Sequence, residues 1–211
     1  MNIYKRGKSR SNQLVRTFLY GAAIFAVGLY SLSQAYGFAL PTAFFPGISI
    51  VAGIVVAAVP YGLRRRRRRK RLRKCQSLQE VYVHFKSKPT DFESHVADIF
   101  REYGFKAKVT PPSKDGGVDI FLQKDGKIYV AEVKLYGPKN KVSVEKIQKL
   151  HSAMVDQKAH GAVFVTTGEF TGPAAAYGAR NGMILIDGVK LQKLMDDICN
   201  KRPGDLRCQV F

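Results

Sequence analysis

The 211-residue chain has no tryptophan and only three cysteines, Cys75, Cys199 and Cys208. Three cysteines are too few for the disulfide framework of a small secreted scaffold. The 19 glycines and 9 prolines follow no period, which excludes a collagen-like chain. The sequence also lacks paired Cys or His ligands, Walker-type loops and G-x-G-x-x-G loops. A structural zinc site and nucleotide-driven chemistry are therefore not expected.

Charge of either sign is missing from 47 consecutive residues, 17–63, and no acidic residue precedes position 75. The first 74 residues consequently carry +15 of the net charge of +19. A helix that spans a bilayer needs about 20 apolar residues. The uncharged stretch predicts two transmembrane helices, at about residues 17–36 and 42–63, with a buried core hairpin as the alternative. Basic flanks on both sides predict that both termini, and the domain that follows, lie in the cytoplasm.

Ten of the eleven residues in the segment 64–74, RRRRRRKRLRK, are basic. Such a run can lie on anionic lipid head groups beside a membrane span. It can equally bind the phosphates of a nucleic acid without sequence preference. Both interpretations remain open from the sequence. The side chains predicted to bind nucleic acid or lipid are Arg64, Arg65, Arg66, Arg67, Arg68, Arg69, Lys70 and Arg71.

The remainder of the chain contains all 16 acidic residues and is nearly balanced in charge. Thr90 and Glu93 have the spacing of a capping box, which predicts the start of a helix. Strand patterns then alternate with helical patterns, which is typical of an α/β domain with parallel crossovers. The predicted organisation is a basic N-terminus at 1–16, two spans within 17–63, a basic run and connector at 64–88, a folded domain at 89–200, and a tail at 201–211. Strands are expected at about 105–109, 117–122, 127–135, 161–166 and 183–186, and helices at about 142–157, 172–180 and 188–199.

Three charged side chains fall on one predicted hairpin, whose strands are joined at Asp125-Gly126. Glu132 and Lys134 are two residues apart in an apolar strand, so they share a face. Asp119 lies on the paired strand within reach. Two carboxylates suit Mg²⁺ or Mn²⁺, and the ammonium can orient a water for phosphodiester hydrolysis. An edge-strand ion pair is the structural alternative.

Five stretches in this order are similar to the catalytic domain of Mrr-like restriction endonucleases, within the PD-(D/E)XK superfamily. They run over residues 91–195 and read DFESHVADIFREYGFKAKVT, SKDGGVDIFL, YVAEVKLY, VSVEKIQKLHSAM and GAVFVTTGEFTGPAAAYGARNGMILIDGVKL. The resemblance implies a restriction-endonuclease-like mixed sheet flanked by helices, here preceded by the predicted transmembrane helical hairpin. It also implies a Mg²⁺- or Mn²⁺-dependent DNA endonuclease.

The resemblance assigns roles to individual residues. Asp119 and Glu132 correspond to the metal carboxylates, and Lys134 to the catalytic lysine. Glu93 corresponds to an acidic residue that can join the metal site, with helix capping as an equal alternative. Gln148 matches a glutamine on the helix after the lysine strand, and Asp115 a frequent acidic position that can equally serve a turn.

The partners expected on these grounds are DNA, membrane lipids and, for cutting both strands, a second copy of the chain. Placement at a membrane would suit restriction or processing of foreign DNA. The alternative function is a catalytically inactive nuclease fold that binds nucleic acid or a protein partner at the membrane.

Overall fold

The computed structural model describes residues 20–21, 24–25, 27–28, 30–33, 35, 61–74, 77–111, 117–137, 140–201 and 205–206. The chain forms two compact units, residues 1–67 and 68–211. In the first unit, the described residues between 20 and 35, and residues 61–67, are helical. Most of the second predicted span, residues 42–60, lies outside the described residues.

The prediction of a two-pass integral membrane protein with cytoplasmic termini is wrong. Within the described part of the chain, no helix combines the length and the apolar character that crossing a membrane demands. A long uncharged stretch satisfies only the composition of a span. Crossing also requires an unbroken helix of about 20 apolar residues, and the described helical residues do not supply one.

The second unit begins with helices that the sequence analysis described only in part. Helix α1, Leu78–Phe85, starts with a capping box in which Ser77 and Glu80 bond each other's backbone. The sequence pattern predicted a connector here and left its structure open. Helix α2, Pro89–Glu102, starts at a proline and has no side-chain cap, so the capping box predicted at Thr90 and Glu93 is wrong. Proline is favoured at the first helical position, because an N–H group there would have no hydrogen-bond partner within the helix.

A five-stranded mixed sheet forms the centre of this unit, as the α/β pattern predicted. Asp125 (φ 49°) and Gly126 (φ 78°) make the expected tight turn between the second and third strands. The first three strands are antiparallel, and the remaining two add in parallel beside the third. The sheet order is β1 (Lys106–Val109), β2 (Ile120–Lys124), β3 (Lys127–Lys134), β5 (Gly161–Thr166) and β7 (Ile184–Ile186). A separate parallel pair, β4 (Lys141–Val142) and β6 (Glu169–Phe170), is too short for a sequence pattern to show.

Three further helices complete the layers: α3 (Val144–Asp156), α4 (Gly172–Arg180) and α5 (Gly188–Asn200). One buried cluster joins α1, α2 and α5 to one face of the sheet, and includes Ala131 and Val133 of β3. A second cluster joins α3 and α4 to the other face, and includes Val130. Because side chains alternate along a strand, Glu132 and Lys134 belong to the face that α3 covers.

Part of the basic run packs on this unit. Leu72 is buried in the first cluster, and residues 68–72 are helical. Arg68 Nε donates to Glu102 Oε1 at 2.7 Å, and the Glu102 side chain is fully buried. Arg69 donates to the backbone carbonyls of Ile198 and Lys201 at the end of α5. A guanidinium there satisfies carbonyls that lack partners within the helix and complements the helix dipole.

We expect Arg68→Ala to lower the free energy of unfolding by about 3 kcal/mol, because it removes the guanidinium from a fully buried carboxylate. Urea unfolding of the full chain, followed by circular dichroism, measures the change. The matched control is Arg67→Ala, an exposed neighbour in the same basic run, which should stay within about 0.5 kcal/mol of the wild type. Equal unfolding midpoints for the two variants would contradict a structural role for Arg68.

Candidate active site

Asp119, Glu132 and Lys134 come together where β2 begins and β3 ends. The β2–β3 register pairs Ile120 with Ala131, and Asp119 N donates to Ala131 O at 2.9 Å. Asp119 is therefore the next cross-strand neighbour of Glu132, on the same face of the sheet. The sheet geometry thus gathers the three side chains that the hairpin pattern had singled out.

Lys134 links the two carboxylates. Its Nζ lies 3.0 Å from Glu132 Oε1 and 3.8 Å from Asp119 Oδ2. Asp119 Oδ2 also accepts a 2.7 Å hydrogen bond from Val133 N, which fixes the carboxylate against the backbone of β3. Lys134 remains about one third exposed, whereas Glu132 is only 5% exposed. Solvent and substrate can therefore reach the ammonium, and the Glu132 carboxylate is shielded.

Burial dominates the electrostatics of Glu132. Desolvation raises the pKa of its carboxyl; Lys134 and Lys149 act against this rise, and Asp119 adds to it. Desolvation alone would lower the pKa of Lys134, but the charges of Glu132 and Asp119 outweigh it and raise the value. Lys134 is thus held in its charged form, while the site disfavours a charged Glu132 that has no further cation beside it.

The carboxylate oxygens fit a hard divalent cation. Among the described residues, nothing forms a hydrogen bond with the buried Oε2 of Glu132, and a missing partner is costly for an ionised group. Among the described residues, no group donates to Asp119 Oδ1. Mg²⁺ takes one or two carboxylates and completes its shell with waters and substrate phosphate. Asp119 and Glu132 supply that number of carboxylates.

The structure does not bring Glu93 into this pair. In the described part of the chain, no three His, Cys, Asp or Glu side chains converge on a point that could hold a metal. Glu93 is half-buried on α2, and α2 packs on the opposite face of the sheet. Its proposed metal role therefore has no support from the geometry. Asp115 lies outside the described residues.

Gln148 lies on an exposed part of α3, and its backbone carbonyl accepts a bond from Ser152 Oγ at 3.2 Å. The next residue, Lys149, was missed by the sequence analysis. Its side chain passes over Gly117, two residues before Asp119, and its charge acts on Glu132. No local motif marks this lysine, because the turn from β3 to α3 decides which helical residue reaches the site.

The basic residues predicted to bind nucleic acid or lipid divide into two groups. Arg68 and Arg69 bond the folded domain as described, and Arg71 forms a 3.0 Å ion pair with Asp98. These contacts occupy the three guanidinium groups within the protein. The others are Arg65, which is half-buried, and Arg64, Arg66, Arg67 and Lys70, which are exposed.

The fold and the site match a known family. Residues 85–195, slightly more than half of the chain, match the Mrr catalytic domain, which is described as a restriction endonuclease. The chain therefore belongs to this restriction endonuclease family. This finding confirms the resemblance and the restriction-endonuclease-like fold class.

The regions that match this chain are only parts of longer proteins. An uncharacterized protein of Sinorhizobium fredii is 37% identical over 86 residues, which are 39% of this chain and 22% of that protein. The chain thus spans about a fifth of that relative. The DNA modification-dependent restriction endonuclease AspBHI shares the fold, with a TM-score of 0.50 at 20% identity, over 65% of this chain and 37% of that one. The MspJI restriction endonuclease, solved in complex with a 27-mer oligonucleotide, has a TM-score of 0.48 and a sequence identity of 23%. The match covers 58% of this chain and 31% of that one.

We expect Glu132→Gln to stabilise the metal-free protein at pH 8. A raised native pKa means that the native state binds the proton more tightly than the unfolded state, so stability falls as pH rises above the ordinary value of 4.5. The stability difference between variant and wild type should consequently grow from pH 4 to pH 8. Thermal unfolding in EDTA measures this difference, because each kcal/mol of stability shifts Tm by about 2–4 °C.

Glu145→Gln provides the control for this experiment. Glu145 is exposed on α3, and a hydrogen bond from Ser143 lowers the pKa of its carboxyl. Its replacement should give no stabilisation at pH 8. A wild type that gains stability relative to Glu132→Gln as pH rises would show that the site accommodates the Glu132 charge without a cation.

Proposed function

We propose that the chain is a metal-dependent endonuclease that hydrolyses phosphodiester bonds of DNA. The observation that carries the proposal is the buried Oε2 of Glu132, which lies beside Asp119 and Lys134 and has no hydrogen-bond partner in the part of the chain that the structure describes. An oxygen in this position is unfavourable in a purely structural ion pair, since an alternative with both oxygens bonded would be more stable. It suits a site that binds a cation. Membership of the restriction endonuclease family supports DNA as the substrate.

Asp119 and Glu132 would hold Mg²⁺ or Mn²⁺, with Glu132 Oε2 and Asp119 Oδ1 as the available oxygens. When bound, such an ion acts as a Lewis acid toward a phosphate oxygen and lowers the pKa of a bound water. The hydrogen bond from Val133 N holds Asp119 in place. Preorganisation of this kind avoids reorganising the site during the reaction.

Lys134 would act on the attacking water and on the developing phosphate charge. Its Nζ is held between two carboxylates and is still reached by solvent. An ammonium has three N–H donors and no acceptor. It can therefore orient a water for in-line attack on phosphorus and stabilise negative charge on the phosphate oxygens, but it cannot accept the proton from that water while it is charged.

We expect Lys134→Ala to reduce DNA cleavage by about 100-fold or more, because removing one preorganised donor has effects of this size in other enzymes. The assay incubates the full-length chain with plasmid DNA, methylated and unmethylated, in Mg²⁺ and in EDTA. Lys127→Ala, at the exposed start of the same strand, is the matched control and should cut as the wild type does.

Equal cleavage by Lys134→Ala and the wild type would refute the assignment of Lys134. Salt-sensitive DNA binding with no Mg²⁺-dependent cutting on either plasmid would favour the inactive binding module instead.

Metal binding should be visible without turnover. At a Mg²⁺ concentration 100-fold above its Kd, the ion should add about 2.7 kcal/mol to the stability of the wild type. Thermal unfolding with and without Mg²⁺ should show this increase for the wild type but not for Glu132→Gln. Glu169→Gln, which alters an exposed carboxylate paired with Lys141, should keep the response. A wild-type response in Glu132→Gln would place the ion elsewhere.

A further inference from the structure

We infer that Lys149 binds a backbone phosphate of the polynucleotide next to the bond that is cut. This inference rests on the proposed function and adds a substrate-binding residue to it. Lys149 lies on α3, the helix that covers the Glu132 face of the sheet. Neither the hairpin pattern nor the family resemblance assigns it a role.

Close packing sets the position of the Lys149 side chain. A methyl group at position 117 would lie 3.0 Å from Lys149 Cε and 3.6 Å from its Nζ. Gly117 also has φ +86°, which a residue with a side chain rarely adopts. The glycine therefore gives the aliphatic stem of the lysine room to cross the backbone segment that leads into Asp119. The ammonium lies beside Gly117, two residues before Asp119, where its charge acts on Glu132.

Charge distinguishes this lysine from Lys134. Two carboxylates surround Lys134, so Asp119, Glu132 and Lys134 together carry one net negative charge. Lys149 is exposed and, among the described residues, forms no ion pair. Its charge nevertheless reaches Glu132 and opposes the rise in pKa of that carboxyl. Lys149 is thus a cation near the site whose donors are still available to a ligand.

A phosphodiester is the ligand that this arrangement fits. With both carboxylates ionised and no metal bound, the site has a net negative charge and repels a polyanion, and a neighbouring ammonium offsets that repulsion. Lysine contacts phosphate as a point charge and does not depend on the base sequence. Lys149 would consequently contribute binding energy in the ground state and the transition state alike, and Lys134 would act mainly in the chemical step.

The test measures binding of the full-length chain to a 30-base-pair DNA duplex in EDTA, where no cleavage occurs, at several salt concentrations. Loss of one phosphate contact should reduce the slope of log affinity against log salt by about 0.9. We expect this reduction for Lys149→Ala and recovery of the wild-type slope for Lys149→Arg. Lys193→Ala should leave the slope unchanged, since Lys193 is exposed on α5, on the opposite side of the sheet.

Cleavage in Mg²⁺ gives a second readout. Lys149→Ala should raise KM and leave kcat close to the wild-type value, as expected for uniform binding. An unchanged salt slope for Lys149→Ala, or no measurable duplex binding by the wild type, would overturn the inference. A wild type that binds DNA with the Lys149-dependent slope but does not cut would refute the proposed nuclease activity and leave this phosphate contact in place.

Discussion

The burial of the Glu132 carboxylate within β3 is the constraint on which the site depends. A strand that is covered on both faces normally contains apolar side chains, and a charged group there is costly without partners. Lys134 offsets this cost only in part, and the nearby Asp119 carboxylate adds to it. Among the described residues, one oxygen of Glu132 has no hydrogen-bond partner, and the pKa of its carboxyl is raised. Such local strain is common at functional sites, where the rest of the fold supplies the stability. Here the two apolar clusters on either side of the sheet supply it.

The basic run shows how one composition can serve different purposes. Ten basic residues in eleven suggested a single arm for lipid or nucleic acid, yet Arg68 and Arg69 bond buried or helix-terminal groups of the folded domain. Leu72, the one apolar residue in the run, is buried in the same cluster as α2 and α5. These contacts make the second half of the run part of the domain. Charge composition alone could not reveal this, because a guanidinium can bond a carboxylate or carbonyl as well as a phosphate.

Membership of the restriction endonuclease family rests on the catalytic domain, which occupies slightly more than half of the chain. The Sinorhizobium fredii relative is about five times longer than the part it shares, and AspBHI is also matched over a minor part of its length. The comparisons therefore concern the catalytic domain alone, whose chemistry is argued from its own residues.

The sequence by itself determined the α/β class, most strand and helix positions, and the trio Asp119, Glu132 and Lys134. These features follow from short-range rules: strand alternation, the Asp125-Gly126 turn and helical periodicity act over a few residues. The capping box predicted at Thr90 is wrong, because the helix already begins at Pro89. The capping box at Ser77 was overlooked. The predicted membrane spans are wrong, since no helix in the described part of the chain is long and apolar enough to cross a membrane.

Only the tertiary structure decided which residues meet across long separations. Glu93 satisfies a family pattern but lies on a helix that packs against the other face of the sheet. Lys149 matches no pattern but reaches the site, because α3 packs on the Glu132 face and Gly117 leaves room for its stem. Helix packing fixes these distances through side-chain volumes and backbone approach, which depend on residues far apart in the chain. The sequence could therefore identify the three charged groups that meet on the hairpin but could not show which other charges surround them.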